Sequence, residues 1–127
     1  MKHTLLALLF LVSLTGCGPE TTSIEELYNG NLDKVTKIDV LDGNTGESAS
    51  TKEKDQIQAF INEIKDVKFI RDNDQSKRDG FNYSITFYQG DDQKLQFGLN
   101  QIDGDYYHTD PDIKPTIEQF YEDIKPR

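Results

Sequence analysis

The stretch FNYSITFYQGDDQKLQFGLN, residues 81–100, decides how this chain folds. Phe81, Tyr83, Ile85 and Phe87 alternate with Asn82, Ser84, Thr86 and Tyr88. Gln89-Gly90-Asp91-Asp92 then supplies turn chemistry, and Leu95, Phe97 and Leu99 alternate with Lys94, Gln96, Gly98 and Asn100. Apolar residues at a period of two put one face of a strand on a core and leave the other polar. Two such runs joined by four polar residues predict an antiparallel hairpin.

The flanking segments extend this pattern. Downstream, Asp103-Gly104 predicts a second tight turn and Tyr106 to Thr109 a last short strand. Asp110-Pro111-Asp112 breaks the sheet, and Pro115 suits a first helical position. Ile117, Phe120, Tyr121 and Ile124 then recur at helical spacing. Upstream, Ile57, Phe60, Ile61, Ile64 and Val67 form a second apolar helix face, opposite Lys54, Gln58, Asn62 and Lys65. Ser50-Thr51-Lys52-Glu53 has the spacing of a capping box at the start of that helix.

Lys68 to Arg71 reads as a short strand, followed by a polar loop from Asp72 to Gly80. Val35 to Leu41 reads as a half-buried strand with Ile38 and Val40 on one side and Lys37 and Asp39 on the other. Asp42 to Gly46 is a turn, and Ser23-Ile24-Glu25-Glu26 is another capping box, opening a short helix to Tyr28. The expected fold class is α+β: an antiparallel meander sheet of four to five strands packed by two helices, in the order β-α-β-β-β-β-α.

The N-terminus has a different character. Met1-Lys2-His3 is a short positive region, and Leu5 to Val12 is an unbroken apolar run. That run has the length of a signal-peptide core and falls short of the roughly 20 residues of a spanning helix. Leu14-Thr15-Gly16-Cys17 follows, and in this setting it resembles a lipobox, the processing site of bacterial lipoproteins. Small residues at Thr15 and Gly16 let an extended chain enter a peptidase. The Cys17 thiolate is the good nucleophile at hand, able to take a diacylglyceryl group as a thioether. Cys17 is also the only cysteine in the chain, so no intramolecular disulfide is available. The resemblance implies cleavage before Cys17, lipoprotein-processing enzymes as partners, and anchoring on the extracytoplasmic face of the cell membrane.

The expected organisation is therefore a signal peptide at 1–16, a lipidated tether at 17–22, and one α+β domain at 23–127. A six-residue tether spans at most about 20 Å.

From Val35 onward the chain resembles a group of small, uncharacterised lipoproteins of Gram-positive bacteria related to Bacillus. The likeness rests on Lys34-Val35-Thr36-Lys37-Ile38 with Asp42-Gly43, on Tyr83-Ser84-Ile85-Thr86-Phe87-Tyr88, on Ile102-Asp103-Gly104-Asp105-Tyr106-Tyr107, and on Ile117-Glu118-Gln119-Phe120-Tyr121. It implies surface anchoring and carries no activity to particular residues.

Charge and inventory narrow the functional classes. After residue 16 the chain has 13 Lys plus Arg against 23 Asp plus Glu, a formal charge of −10. Such a surface repels phosphate backbones, which argues against a nucleic-acid partner. His108 is the one histidine left after residue 16, and no serine stands in a Gly-x-Ser-x-Gly turn. Zinc sites want several His or Cys ligands. Neither Asp72 nor Asp42 opens a calcium loop, because position six is Lys77 in one frame and Glu47 in the other, where glycine is needed. There is no tryptophan for a sugar-lined cleft. No catalytic residue, cofactor or metal is expected, and the chain is not expected to be an enzyme.

Four residues suggest a contact surface instead. Tyr106 and Tyr107 are adjacent in a strand and cannot both face the core. With Tyr88 and His108 they make the candidate binding face of a non-enzymatic surface lipoprotein for a protein or envelope component. Exposed tyrosine offers contact area at low entropic cost. The alternative is a solute- or cation-sensing accessory lipoprotein using Asp103, Asp105, Asp110 and Asp112.

Overall fold

The computed structural model describes residues 20–78 and 83–126. The signal segment, Leu14, Thr15, Gly16 and Cys17 lie outside the described residues, as do Phe81 and Asn82.

The fold is α+β, with antiparallel sheets and helices packed on them, and its strands are shorter and more numerous than the hydrophobic pattern announces. In chain order they are β1 (Thr21–Thr22), β2 (Lys37–Asp42), β3 (Ser48–Thr51), β4 (Lys68–Arg71), β5 (Tyr83–Gln89), β6 (Asp92–Gly98), β7 (Gln101–Ile102) and β8 (Asp105–Asp110). The helices are α1 (Ile24–Leu27), α2 (Lys54–Ile64) and α3 (Lys114–Ile124), with one 3₁₀ turn at Leu32–Lys34. The strands divide into two four-stranded sheets, ordered β1-β4-β8-β7 and β3-β2-β5-β6.

Both long helices bury the residues their spacing selects. Ile57, Phe60, Ile61 and Ile64 of α2 are buried, as are Ile117, Phe120 and Tyr121 of α3. Each such side chain contributes about 1.5–3 kcal/mol when fully removed from water. The helices meet face to face where Phe60 stacks on Phe120, ring centroids 3.9 Å apart and planes 10° from parallel. Tyr121 continues that contact onto Tyr83 of β5, at 5.6 Å.

The expected central hairpin forms, with Ile85 opposite Phe97 and Phe87 opposite Leu95. Gly90, at φ +64°, makes the turn, and the pairing shifts between Phe87 and Tyr88 so that Lys94 is an extra residue on β6. Extra residues of this kind bend a strand and sharpen its twist. The β7–β8 turn needs φ > 0 at both central positions, and Asp103 (51°) and Gly104 (88°) supply it.

Two expectations change. Ser50-Thr51-Lys52-Glu53 is not a capping box: Ser48–Thr51 pairs with β2, Ile38 opposite Thr51 and Leu41 opposite Ser48. Helix α2 starts later, at Lys54, and Glu53 makes no side-chain cap. Thr51 Oγ1 instead accepts from the Glu53 amide and donates to Gln56 Oε1 at 2.6 Å. The segment read as a tether also shortens, because Thr21 and Thr22 pair with Ile70 and Phe69 of β4. At the first helix Ser23 does cap, with the Glu26 amide donating to Ser23 Oγ at 3.2 Å.

The two sheets share one core through aromatic edges. Phe97 of β6 stands edge-on to Phe87 of β5 (5.7 Å, 83°) and to Phe69 of β4 in the other sheet (5.9 Å, 87°). Tyr28, just after α1, closes on Phe87 at 6.2 Å. We predict that Phe97→Ala destabilises the domain by about 3–5 kcal/mol in urea denaturation, whereas Gln96→Ala, one residue away on the exposed side, costs less than about 0.5 kcal/mol. Similar losses for the two would refute this account of the core.

Candidate functional site

The four residues expected to form one contact face do not come together as an exposed surface. Tyr107 points into the core and is 2% exposed. Tyr106 points the other way, as strand alternation demands, yet it too is buried. The reason is the segment after β4. Residues 72–78 fold back over the outer side of β8 and roof Tyr106. His108 lies on the same side at the roof's margin with its side chain 60% exposed. Tyr88 stands in the other sheet, with Lys37 Nζ 4.3 Å above its ring. Burial, then the nearby Asp39 carboxylate, raise the Tyr88 phenol above its ordinary value.

The roof is built from hydrogen bonds between residues about thirty positions apart. Gln75 works as a surrogate strand: its Nε2 donates to the Tyr106 carbonyl, and its Oε1 accepts from the Tyr106 amide, both at 2.9 Å. The Asp72 amide donates to the same carbonyl at 3.0 Å. The Arg78 guanidinium lies 4.2 Å over the Tyr106 ring, and the Arg78 amide donates to the tyrosine hydroxyl at 3.1 Å. Asp72 ties the roof to the sheet. One carboxylate oxygen meets His108 Nδ1 at 2.6 Å, and the other accepts from Arg78 Nη2 at 3.0 Å. The His108 hydrogen bond first, and Arg78 after it, hold the Asp72 carboxyl below the usual carboxylate range, with burial opposing them.

A carboxylate on Nδ1 is also how hydrolases orient a catalytic histidine. The Asp72–His108 pair has that half of the geometry. What the contacts here accomplish is fixing the roof, since both partners of Asp72 belong to the clamp around Tyr106.

The acidic residues considered for a cation are split by the same strand. Asp103 and Asp105 lie at one end of β8 and Asp110 and Asp112 at the other, roughly 17 Å apart at 3.3 Å per residue. Among the described residues no group of three or more His, Cys, Asp or Glu side chains is gathered closely enough to hold a metal ion. Asp105 is drawn toward Arg71, 3.6 Å from its Nη2.

A concavity lies elsewhere on the domain. A groove of about 830 Å³ follows the free edge of β6 and the turn into β7. Leu95, Leu27 and Leu41 supply apolar surface, and Gln93, Gln96 and Gln101 polar groups. This is within the size range of ligand sites, about 300–1,000 Å³. Strand β6 ends its sheet, so the side away from β5 has no neighbouring strand among the described residues. Leu41 is the exposed large apolar residue of the described chain, at 36%. One sequence signal marked this place: Leu41 breaks the alternation of β2, an apolar residue on the side where Lys37 and Asp39 stand.

Comparison with protein-family models, with curated proteins and with solved structures finds no match to this chain.

Two outcomes follow from the roof. Gln75→Ala should speed amide exchange at Tyr106 by about fivefold to tenfold, the equivalent of roughly one net hydrogen bond, without altering exchange in α2. Because Asp72 titrates lower in the folded chain than in the unfolded one, its contribution is present above the ordinary carboxylate range. It is lost as pH falls through the lowered value. Asp72→Asn should therefore destabilise the domain at neutral pH by on the order of 1 kcal/mol, and the gap from the parent should close in strong acid. A gap that stays constant with pH would contradict the clamp.

Proposed function

We propose that this protein is a membrane-anchored bacterial surface lipoprotein, held through a diacylglyceryl group on Cys17, whose domain is a non-enzymatic binding module for a partner protein. The anchoring half of the reading rests on Leu14-Thr15-Gly16-Cys17 directly behind a positive region and an apolar run. Two acyl chains on one glycerol hold a protein stably at a bilayer, where one does so only marginally.

The binding half rests on one observation, the groove along the free edge of β6. An open strand edge recognises another backbone, because its unpaired N–H and C=O groups repeat at the spacing of an extended chain. Beyond the bulge at Lys94, Leu95 to Gly98 offers about 13 Å of such edge. Leu95 on β6 and Leu27 of α1 would select side chains of the added strand, while Leu41 on β2 lines the far side of the same groove. The occupant this chemistry fits is an extended polypeptide segment. The tyrosines first considered do not serve this purpose, since Tyr106 and Tyr107 are buried.

The test is photo-crosslinking on intact cells with the reactive group at Gln93, beside the groove, and at Asp123 on α3 as a control. The expected result is one recurrent partner peptide captured from Gln93 alone and lost in Leu41→Ser. A synthetic copy of that peptide should slow amide exchange in β6. Equal capture from both positions, or a captured peptide that leaves β6 exchange unchanged, would refute the edge as the binding site. An unmodified Cys17 in protein purified from membranes would refute the anchor.

A further inference from the structure

The tether that holds the domain is shorter than its sequence suggests, and the structure says where it ends. Thr21 and Thr22 are paired to β4, and the Arg71 amide donates to the Glu20 carbonyl at 2.7 Å. The chain is therefore held from Glu20 onward. Only three peptide steps separate Glu20 from Cys17, a reach of at most about 10 Å. A domain of this size is about 30 Å or more across. A tether one third of that width cannot carry the opposite end of the domain to the membrane.

We infer that the domain meets the bilayer by one defined end, with the end of the first sheet that carries Glu20, Arg71, Asp72 and the Asp103–Gly104 turn lying against the phospholipid headgroups. This inference rests on the reading of Cys17 as the lipidated residue. The strand directions assign the rest. Strand β1 leaves this end, β4 runs down to it, β7 runs down to it, and β8 departs from it, since all neighbours are antiparallel. Lys68 and its partner Asp110 mark the far end of the same sheet.

Charge does not drive this approach. The near end and the roof that begins there carry Glu20, Asp72, Asp74, Asp103 and Asp105 against Arg71, Lys77 and Arg78. An excess of acids is not attracted to anionic lipid. The orientation comes from the length of the covalent link and the point at which the sheet captures it, so it should not depend on salt.

The experiment places a single fluorophore on the full lipidated chain in phosphatidylcholine–phosphatidylglycerol vesicles containing a headgroup quencher. Asn73→Cys puts the label two residues beyond the near end of β4, and Asp66→Cys two residues before its far end. Both positions are exposed. With Cys17 acylated, the introduced thiol is the one available for labelling. The expected result is quenching at position 73 at least threefold stronger than at position 66, unchanged between low and high salt. Insertion of a flexible Gly/Ser linker of about fifteen residues before Glu20 should erase the difference. Equal quenching at the two positions on a chain whose mass shows the diacylglyceryl group would overturn the orientation and leave the anchor standing. So would a difference that vanishes in high salt or survives the linker. An unmodified Cys17 would overturn the anchor itself, and the orientation with it.

Discussion

Phe97 stands edge-on to two aromatic rings at once, and the rest of the domain depends on that position. Its own sheet presents Phe87, and the other sheet presents Phe69. A ring's positive edge against a neighbour's negative face is the favoured aromatic geometry, and here it recurs on both sides of one residue. Neither four-stranded sheet could bury its inner face alone. The helices complete the enclosure from elsewhere: Phe60 on Phe120 joins α2 to α3, and Tyr121 on Tyr83 brings α3 onto the second sheet. A chain without tryptophan thus joins its layers by phenylalanine and tyrosine rings from β4, β5, β6, α2 and α3, set in a core that is otherwise largely isoleucine.

What the sequence made legible was whatever local periodicity controls. The faces of α2 and α3, the β5–β6 hairpin, the glycine turns and the Ser23 cap are all visible within about fifteen residues, and the fold class follows from them. The hidden parts were decided by distant partners. Ser48 to Thr51 has no hydrophobic alternation, and its serines and threonines serve a helix cap as well as a strand. Pairing with β2 settles the choice. Thr21 and Thr22 are only two residues of strand and are ordered by β4, nearly fifty positions away.

The candidate site shows the same limit more sharply. Alternation correctly separated Tyr106 from Tyr107, and it could not foresee that Gln75 and Arg78 would cover the outward-facing ring. Nothing in a run of polar residues announces which one will imitate a strand. The groove was partly legible, because Leu41 is out of phase with its own strand. Its other walls, from Leu27 of α1 and the β6–β7 turn, are brought together only by the tertiary fold.

Strand β6 has a second consequence, for behaviour in company. An unpaired edge of seven residues, free of proline, is a template on which identical chains can assemble without limit. Here the inserted Lys94 interrupts the ladder and places a cation beside it. A second copy laid along the same edge would face an irregular spacing and a matching positive charge. The bulge thus shortens the usable edge to the regular stretch from Leu95 to Gly98, so that a long flat strand, a second copy included, finds too little ladder there, while a short extended segment still can pair.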